Sequence, residues 1–317
     1  MNNNIFFLFF LSIVLLSCHK IPQEIEPKLS YQIDESFIKS LPGAFPALNE
    51  MEKKEDFGKE YDVAVKFAHD LDFYRAITSF KRASYLLDNG HEKEKLSCDY
   101  SILLCYYLGQ KYEEVIFTFE RSPLIHVNKE NFKPFKDLLI ILYDSYKKIK
   151  EEQKSQNMLK ALELNYPELK KKLEMTEALL KADTLSIEKA SSSSSDKNEI
   201  LSQVHAYKKE KKSIYAAQAL NALLPGAGYW YLGQRQSALT AFLINGVFIY
   251  ASYEFFHKGY IGAGIIFSSL EFGWYFGGIY GAGLETKVYN ERLYEKKFNP
   301  LMNKKGYFPV CYIEYAF

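Results

Sequence analysis

Two polar residues lie deep inside apolar runs near the end of the chain, Asn245 within Ser237 to Phe256 and Glu271 within Gly259 to Gly281, while Glu254 lies close to the break between them. An amide or carboxyl in a lipid-facing segment is costly unless paired, so such residues mark either a helix–helix hydrogen bond or a polar path. Only His257-Lys258 separates the two runs, with Asn245 12 residues before that break and Glu271 13 residues after it. In an antiparallel hairpin the two share a depth, which predicts a hydrogen bond between Asn245 and Glu271 with the carboxyl protonated. Ser269, Gly273, Gly277 and Gly281 recur every fourth residue, and at about 100° per residue this stripe lies roughly opposite Glu271. A Glu271 turned towards Asn245 therefore sends the glycines outward, to a helix of a second copy or of another protein. The opposite rotation keeps the glycines inside the hairpin and gives Glu271 to a partner or a water-filled site.

Other reactive groups form no chemical constellation. Cys98, Cys105 and Cys311 are scattered, and the first two, seven apart on one helix, lie about 10 Å apart along its axis, too far for a disulfide. There is no C-x-x-C pair, phosphate loop, His-Glu-x-x-His or nucleophile elbow, and the six histidines are dispersed. The expectation is a protein without catalytic residues, metal or cofactor. A formal net charge of +1 on 317 residues argues against a nucleic-acid binder.

The elements that would position Asn245 and Glu271 follow from length. Each apolar run approaches the ~20 residues a helix needs to cross the hydrocarbon of a bilayer. Just before them comes Pro225-Gly226-Ala227-Gly228-Tyr229-Trp230-Tyr231-Leu232-Gly233. Gly226, Gly228 and Gly233 permit a tight bend after Pro225, and the aromatics suit the headgroup level. Ser213 to Leu224 is mildly amphipathic and suits the interface, and the basic run Lys208 to Lys212 suits anionic lipid. Residues 213–290 resemble a class of small two-helix bacterial membrane domains, which are joined to varied soluble modules; the likeness implies an architecture rather than a reaction. The membrane domain is placed at 213–298, with a tail at 299–317.

The middle of the chain reads differently. Residues 18–55 carry Pro22, Pro27, Pro42 and Pro46 and read as a tether. Residues 56–182 have helical spacing with an internal repeat. Ala64, Phe67, Ala76, Phe80 and Ala83 are followed at matching spacing by Leu103, Tyr106, Val115, Phe119 and Ser122, then by Tyr143, Tyr146, Ser155, Leu159 and Leu162. This small/large pattern resembles the tetratricopeptide repeat, which implies antiparallel helix pairs stacked around a concave groove for a protein partner. Tyr61, Phe73, Tyr74, Tyr100 and Tyr107 are the aromatics that could line it. The Ser-rich stretch at 191–195 makes 183–212 a low-complexity linker. The fold expected is all-α: tetratricopeptide-like repeats followed by a transmembrane helical hairpin.

At the beginning of the chain, Ile5 to Leu16 is an apolar run of signal-peptide length, and Leu15-Leu16-Ser17-Cys18 closes it. The tetrapeptide resembles a bacterial lipobox, which implies cleavage after residue 17 and lipid on Cys18, although Met1-Asn2-Asn3-Asn4 lacks the usual positive charge. A lipidated Cys18 puts the repeats outside the cytoplasm of an inner membrane, and it puts Lys208 to Lys212 there too, against the positive-inside tendency. Val310 to Phe317 alternates like one strand, but no series of such segments builds a barrel. These features point to a membrane-anchored scaffold or adaptor in the cell envelope that holds a protein partner and serves protein assembly, insertion or trafficking. A transport-complex subunit using Asn245 and Glu271, and an outer-membrane assembly lipoprotein, are the alternatives.

Overall fold

A computed structural model describes residues 21–31, 35–88, 90–193 and 196–317. Among these residues helices dominate, and the β structure is a single isolated bridge between Gly43 and Ala316. The all-α expectation is met at that level. Cys18 and the run before it lie outside the described residues. The chain divides into two compact units.

One unit comprises Ser30–Leu179, Leu185–Ser194 and Pro300–Phe317. After the short α1 (Glu35–Ser40) it holds α2 (Asp56–His69), α3 (Phe73–Leu86), α4 (Glu92–Leu108), α5 (Tyr112–Glu120), α6 (Phe135–Lys148), α7 (Glu152–Asn165), α8 (Pro167–Leu180) and α9 (Thr184–Ala190). The turns inside the pairs α2/α3, α4/α5 and α6/α7 share one geometry. Leu71, Gln110 and Lys150 each take a left-handed backbone, with φ of 60°, 57° and 64°. One residue later, Asp72, Lys111 and Glu151 donate their amides to the carbonyls of Phe67, Tyr106 and Tyr146, at 2.9, 2.8 and 2.9 Å. That long backward bond satisfies carbonyls that the helix end leaves free. The turns lie 39 (71 to 110) and 40 (110 to 150) residues apart, the spacing of the sequence pattern. Ala64, Ala76, Phe80, Ala83, Cys98 and Cys105 are fully buried in one core; Leu139, Ile140, Tyr143, Leu159 and Leu162 build a second. Small residues at 64, 76 and 83 let the first pair approach closely while Phe80 fills the space.

The other unit comprises residues 21–29, Leu180–Thr184 and Ser195–Asn299. It contains α10 (Lys197–Glu210), α11 (Ile214–Leu223), the short α12 (Ala227–Tyr231), α13 (Arg235–His257) and the first part of α14 (Ile261–Lys305). Most of 183–212 is therefore helical rather than a flexible linker. Ile200, Val204 and Tyr207 are buried at helical spacing, and Tyr207 meets the ring of Tyr294 edge-on at 5.3 Å. Three apolar residues on one face outweigh the polar composition around them.

The bend between α11 and α13 is built on Asn221. Its Oδ1 accepts the amides of Gly226 at 2.9 Å and Gly228 at 3.3 Å. Gly226 has φ +93°, and a Cβ there would lie 2.2 Å from the Ala238 carbonyl oxygen. A Cβ on Gly228 would lie 2.4 Å from the Ala217 carbonyl oxygen. Both glycines are required by backbone approach, and the third, Gly233, by its φ of +80°.

Among the described residues, α13 is the one helix long and apolar enough to cross a membrane, and only 11% of its apolar window is buried. Leu239, Phe242, Leu243, Val247, Ile249 and Tyr253 on α13 are exposed. Ile261, Ile265, Ile266, Leu270 and Trp274 on α14 are exposed as well. Glu271 and the glycines at 262, 264, 273, 277, 278 and 281 lower the hydropathy of α14 relative to α13.

Candidate partner-binding site

In the helix-pair unit, the segment after α14 is bound like a ligand by the helices. Pro309–Tyr312 makes one 3-10 turn, and the chain then runs extended to Phe317. An extended segment has no internal partners for its backbone, so each buried amide must find one elsewhere. Glu314 and Tyr315 both donate their amides to Asp137 Oδ2 on α6, at 2.9 and 2.8 Å. Ala316 donates to the Pro42 carbonyl at 2.9 Å and accepts from the Ala44 amide at 3.3 Å, which forms the isolated bridge. The residues around Pro42 thus act as a short strand edge.

Side chains complete the contact. The Tyr312 ring packs on the second core, and its hydroxyl lies 2.9 Å from Thr176 Oγ1. Ile313 and Ala316 are buried, and Phe317 enters the first core, with its ring 6.4 Å from that of Phe80. Basic residues flank the path. Lys136 pairs with the Glu314 carboxylate, while Lys133 stands over the Tyr315 ring at 4.5 Å and Lys172 over the Tyr312 ring at 6.0 Å. The surface that holds this segment therefore has three chemical parts: an acid that takes two backbone amides, a strand edge, and apolar pockets rimmed by lysines.

Burial pushes the Asp137 carboxyl up to about 7, although the amides of Tyr315 and Glu314 and the charge of Lys136 pull it down. Its other oxygen, Oδ1, is buried with no hydrogen-bond partner among the described residues. Burial likewise raises Asp99 to about 6 and shifts the fully buried Asp144 upward. Asp144 accepts a hydrogen bond from the Tyr107 hydroxyl at 2.8 Å.

The tyrosines expected to line a groove are distributed otherwise. Tyr100 and Tyr107 are fully buried, Tyr100 between the rings of Phe45 and Phe132. Tyr61 is part-buried, its hydroxyl 2.7 Å from Ser97 Oγ, and burial pushes its pKa up to about 12. These three are core residues, because their helical positions face the neighbouring helices. Tyr74 alone is at the surface, beside a hollow of about 670 Å³ lined also by Ile77, Lys81, Tyr85 and Tyr106.

In the other unit the expected hydrogen bond between Asn245 and Glu271 is not made. Asn245 Nδ2 donates to the Ala241 carbonyl at 2.6 Å, whereas Asn245 Oδ1 and Glu271 Oε2 are buried with no partner among the described residues. Asn245 instead borders a cleft of about 630 Å³ together with Gly273, Gly277, Gly278, Thr240 and Asn221. The glycine face of α14 thus looks into the same cleft as Asn245 rather than away from it. Gly273 and Gly277 have open space at the Cβ position, while Gly281 closes on the Tyr229 hydroxyl. Rotation of α14 explains the difference: equal depth does not fix which face of each helix is turned inward.

Compared with protein-family models, curated proteins and solved structures, the chain has no match. Sequence reading missed Asp137, the edge at Pro42–Ala44 and the role of the segment after α14. The alternation in Val310 to Phe317 was the visible signal, yet an alternating segment does not reveal what it pairs with.

Proposed function

We propose that this protein is a membrane-anchored scaffold whose helix pairs, of tetratricopeptide type, hold a protein partner at a bacterial envelope membrane. The observation that carries the reading is the exposed apolar surface of α13, which resembles a lipid-facing helix and not the core helix of a water-soluble domain. Chain order adds support. Ser30–Leu179 and Pro300–Phe317 belong to one compact unit, so a chain that crosses a membrane through α13 must cross back before residue 300. The apolar first half of α14 is the segment available for the return, which gives the helical hairpin. On this reading Cys18 carries lipid, the helix-pair unit lies on the extracytoplasmic side of the inner membrane, and the Pro225 bend sits at the interface. Assembly, insertion or trafficking of envelope proteins is the process it would serve.

Fractionation with alkaline carbonate tests the anchor: the chain should stay in the inner-membrane pellet, and release into the supernatant would sink the reading. Palmitate labelling should vanish in Cys18→Ala. In-cell crosslinking from the helix-pair unit should capture a defined protein. A second reading, a subunit of a transport complex, draws on the polar cleft beside Asn245; loss of function in Glu271→Gln with normal folding and partner capture would favour it.

A further inference from the structure

The helix-pair unit has no vacant peptide site along Asp137, because the chain's own residues 312–317 fill it. We infer that this segment is a displaceable occupant, and that the partner is an acidic, aromatic-bearing extended segment that takes its place by pairing with the Pro42–Ala44 edge and Asp137. The inference rests on the scaffold reading above and adds to it what the partner looks like and what it must displace.

Three observations specify the occupant. First, most of the backbone recognition is independent of side chains: Asp137 takes two consecutive amides and the residues around Pro42 take one amide and give one. Any extended segment can reproduce it, in the manner of strand addition to a sheet edge. Second, the side chains that enter are aromatic or apolar at Tyr312, Ile313, Ala316 and Phe317. Third, Lys133, Lys136 and Lys172 rim the path, and Lys136 already neutralises Glu314. A basic segment would meet three lysines, whereas an acidic one would gain from them. The contacts of residues 312–317 are therefore a template for the partner. An occupant tethered in cis reduces the apparent affinity of any partner by the fraction of time the site is free.

The test uses the full-length protein in detergent and a fluorescent peptide of residues 307–317 as probe, followed by anisotropy. Ala316→Pro removes the amide that reaches Pro42, and Phe317→Ala empties the first-core pocket; circular dichroism confirms the helix content of each. Either variant should bind the probe about tenfold or more tightly than the unaltered chain, because the resident segment is released more often. Lys136→Glu introduced into the same background should weaken binding, and a probe carrying lysine in place of Glu314 should restore it. Equal binding by the unaltered chain and both folded variants, or binding indifferent to the charge reversal, overturns the inference. The scaffold reading fails separately: it falls if in-cell crosslinking captures no partner, even where the probe exchanges as described.

Discussion

Asp137 makes the helix-pair unit respond to pH in the direction opposite to ordinary acid denaturation. Its carboxyl is raised from a usual value of 3.8 to about 7, chiefly by burial. The folded unit therefore holds a proton that the unfolded chain has lost at any pH between those values. The stability that this group contributes is fully present below the unfolded value and is lost as the pH rises through the folded one. A displacement of this size corresponds to about 4 kcal/mol as an upper figure for the buried site. Asp99 and Asp144 are shifted the same way, so they add to the trend. Cys98 and Cys105, buried in the first core, report opening of this unit alone. Their alkylation in denaturant, corrected at each pH with an unfolded control, should show protection growing from pH 8 to pH 5. Asp137→Asn should flatten that slope, since the neutral amide no longer titrates yet still offers an oxygen to the amides of Glu314 and Tyr315. Protection that falls towards pH 5, or a full slope kept in Asp137→Asn, would refute the reasoning.

Other substitutions probe separate parts of the molecule. Tyr107→Phe leaves buried Asp144 without its hydroxyl donor and should cost about 1–3 kcal/mol by the same cysteine protection. Lys150→Gly should raise stability by roughly 0.5–1 kcal/mol, because glycine tolerates the left-handed turn at φ 64° that lysine enters at a cost; a loss would show that the lysine side chain matters more than its backbone. Gly228→Ala should lower the melting temperature of the other unit or its membrane yield, since the added methyl meets the Ala217 carbonyl, Ala282 and Asn221 at once. Normal yield and melting would mean that α12 does not approach α11 and α14 as closely as the contacts of Gly228 require.

Much of the helix-pair unit was legible in the sequence because its signal is local. The spacing that aligns Ala64 with Leu103 and Tyr143 is the spacing of the three left-handed turns, and a turn is fixed by a few neighbouring residues. The glycines after Pro225 were equally readable, since close approach leaves only one residue type available. What could not be read depends on distant pairing. Asp137 resembles any acid in the first turn of a helix until Glu314 and Tyr315 arrive 177 and 178 residues later. Tyr100 and Tyr107 carry the residue type of a binding surface, and only the packing of other helices makes them interior. The rotation of α14 that turns its glycines towards Asn245 is likewise set by side-chain packing along the whole helix.

The discontinuous make-up of the helix-pair unit has a consequence for how the protein is made. Residues 30–194 leave the ribosome before α13 and α14, but the extended segment that gives Asp137 its two donors and Phe80 its stacking partner is synthesised after them. Closing so long a loop adds little entropy beyond a shorter one, roughly 0.6 kcal/mol per doubling, so the delay is one of order and not of energy. Until the apolar helices have been made and the chain has come back, the surface along Asp137 stands uncovered. A nascent copy thus passes through an interval in which the surface later covered by residues 312–317 is accessible, and the mature copy closes that interval itself.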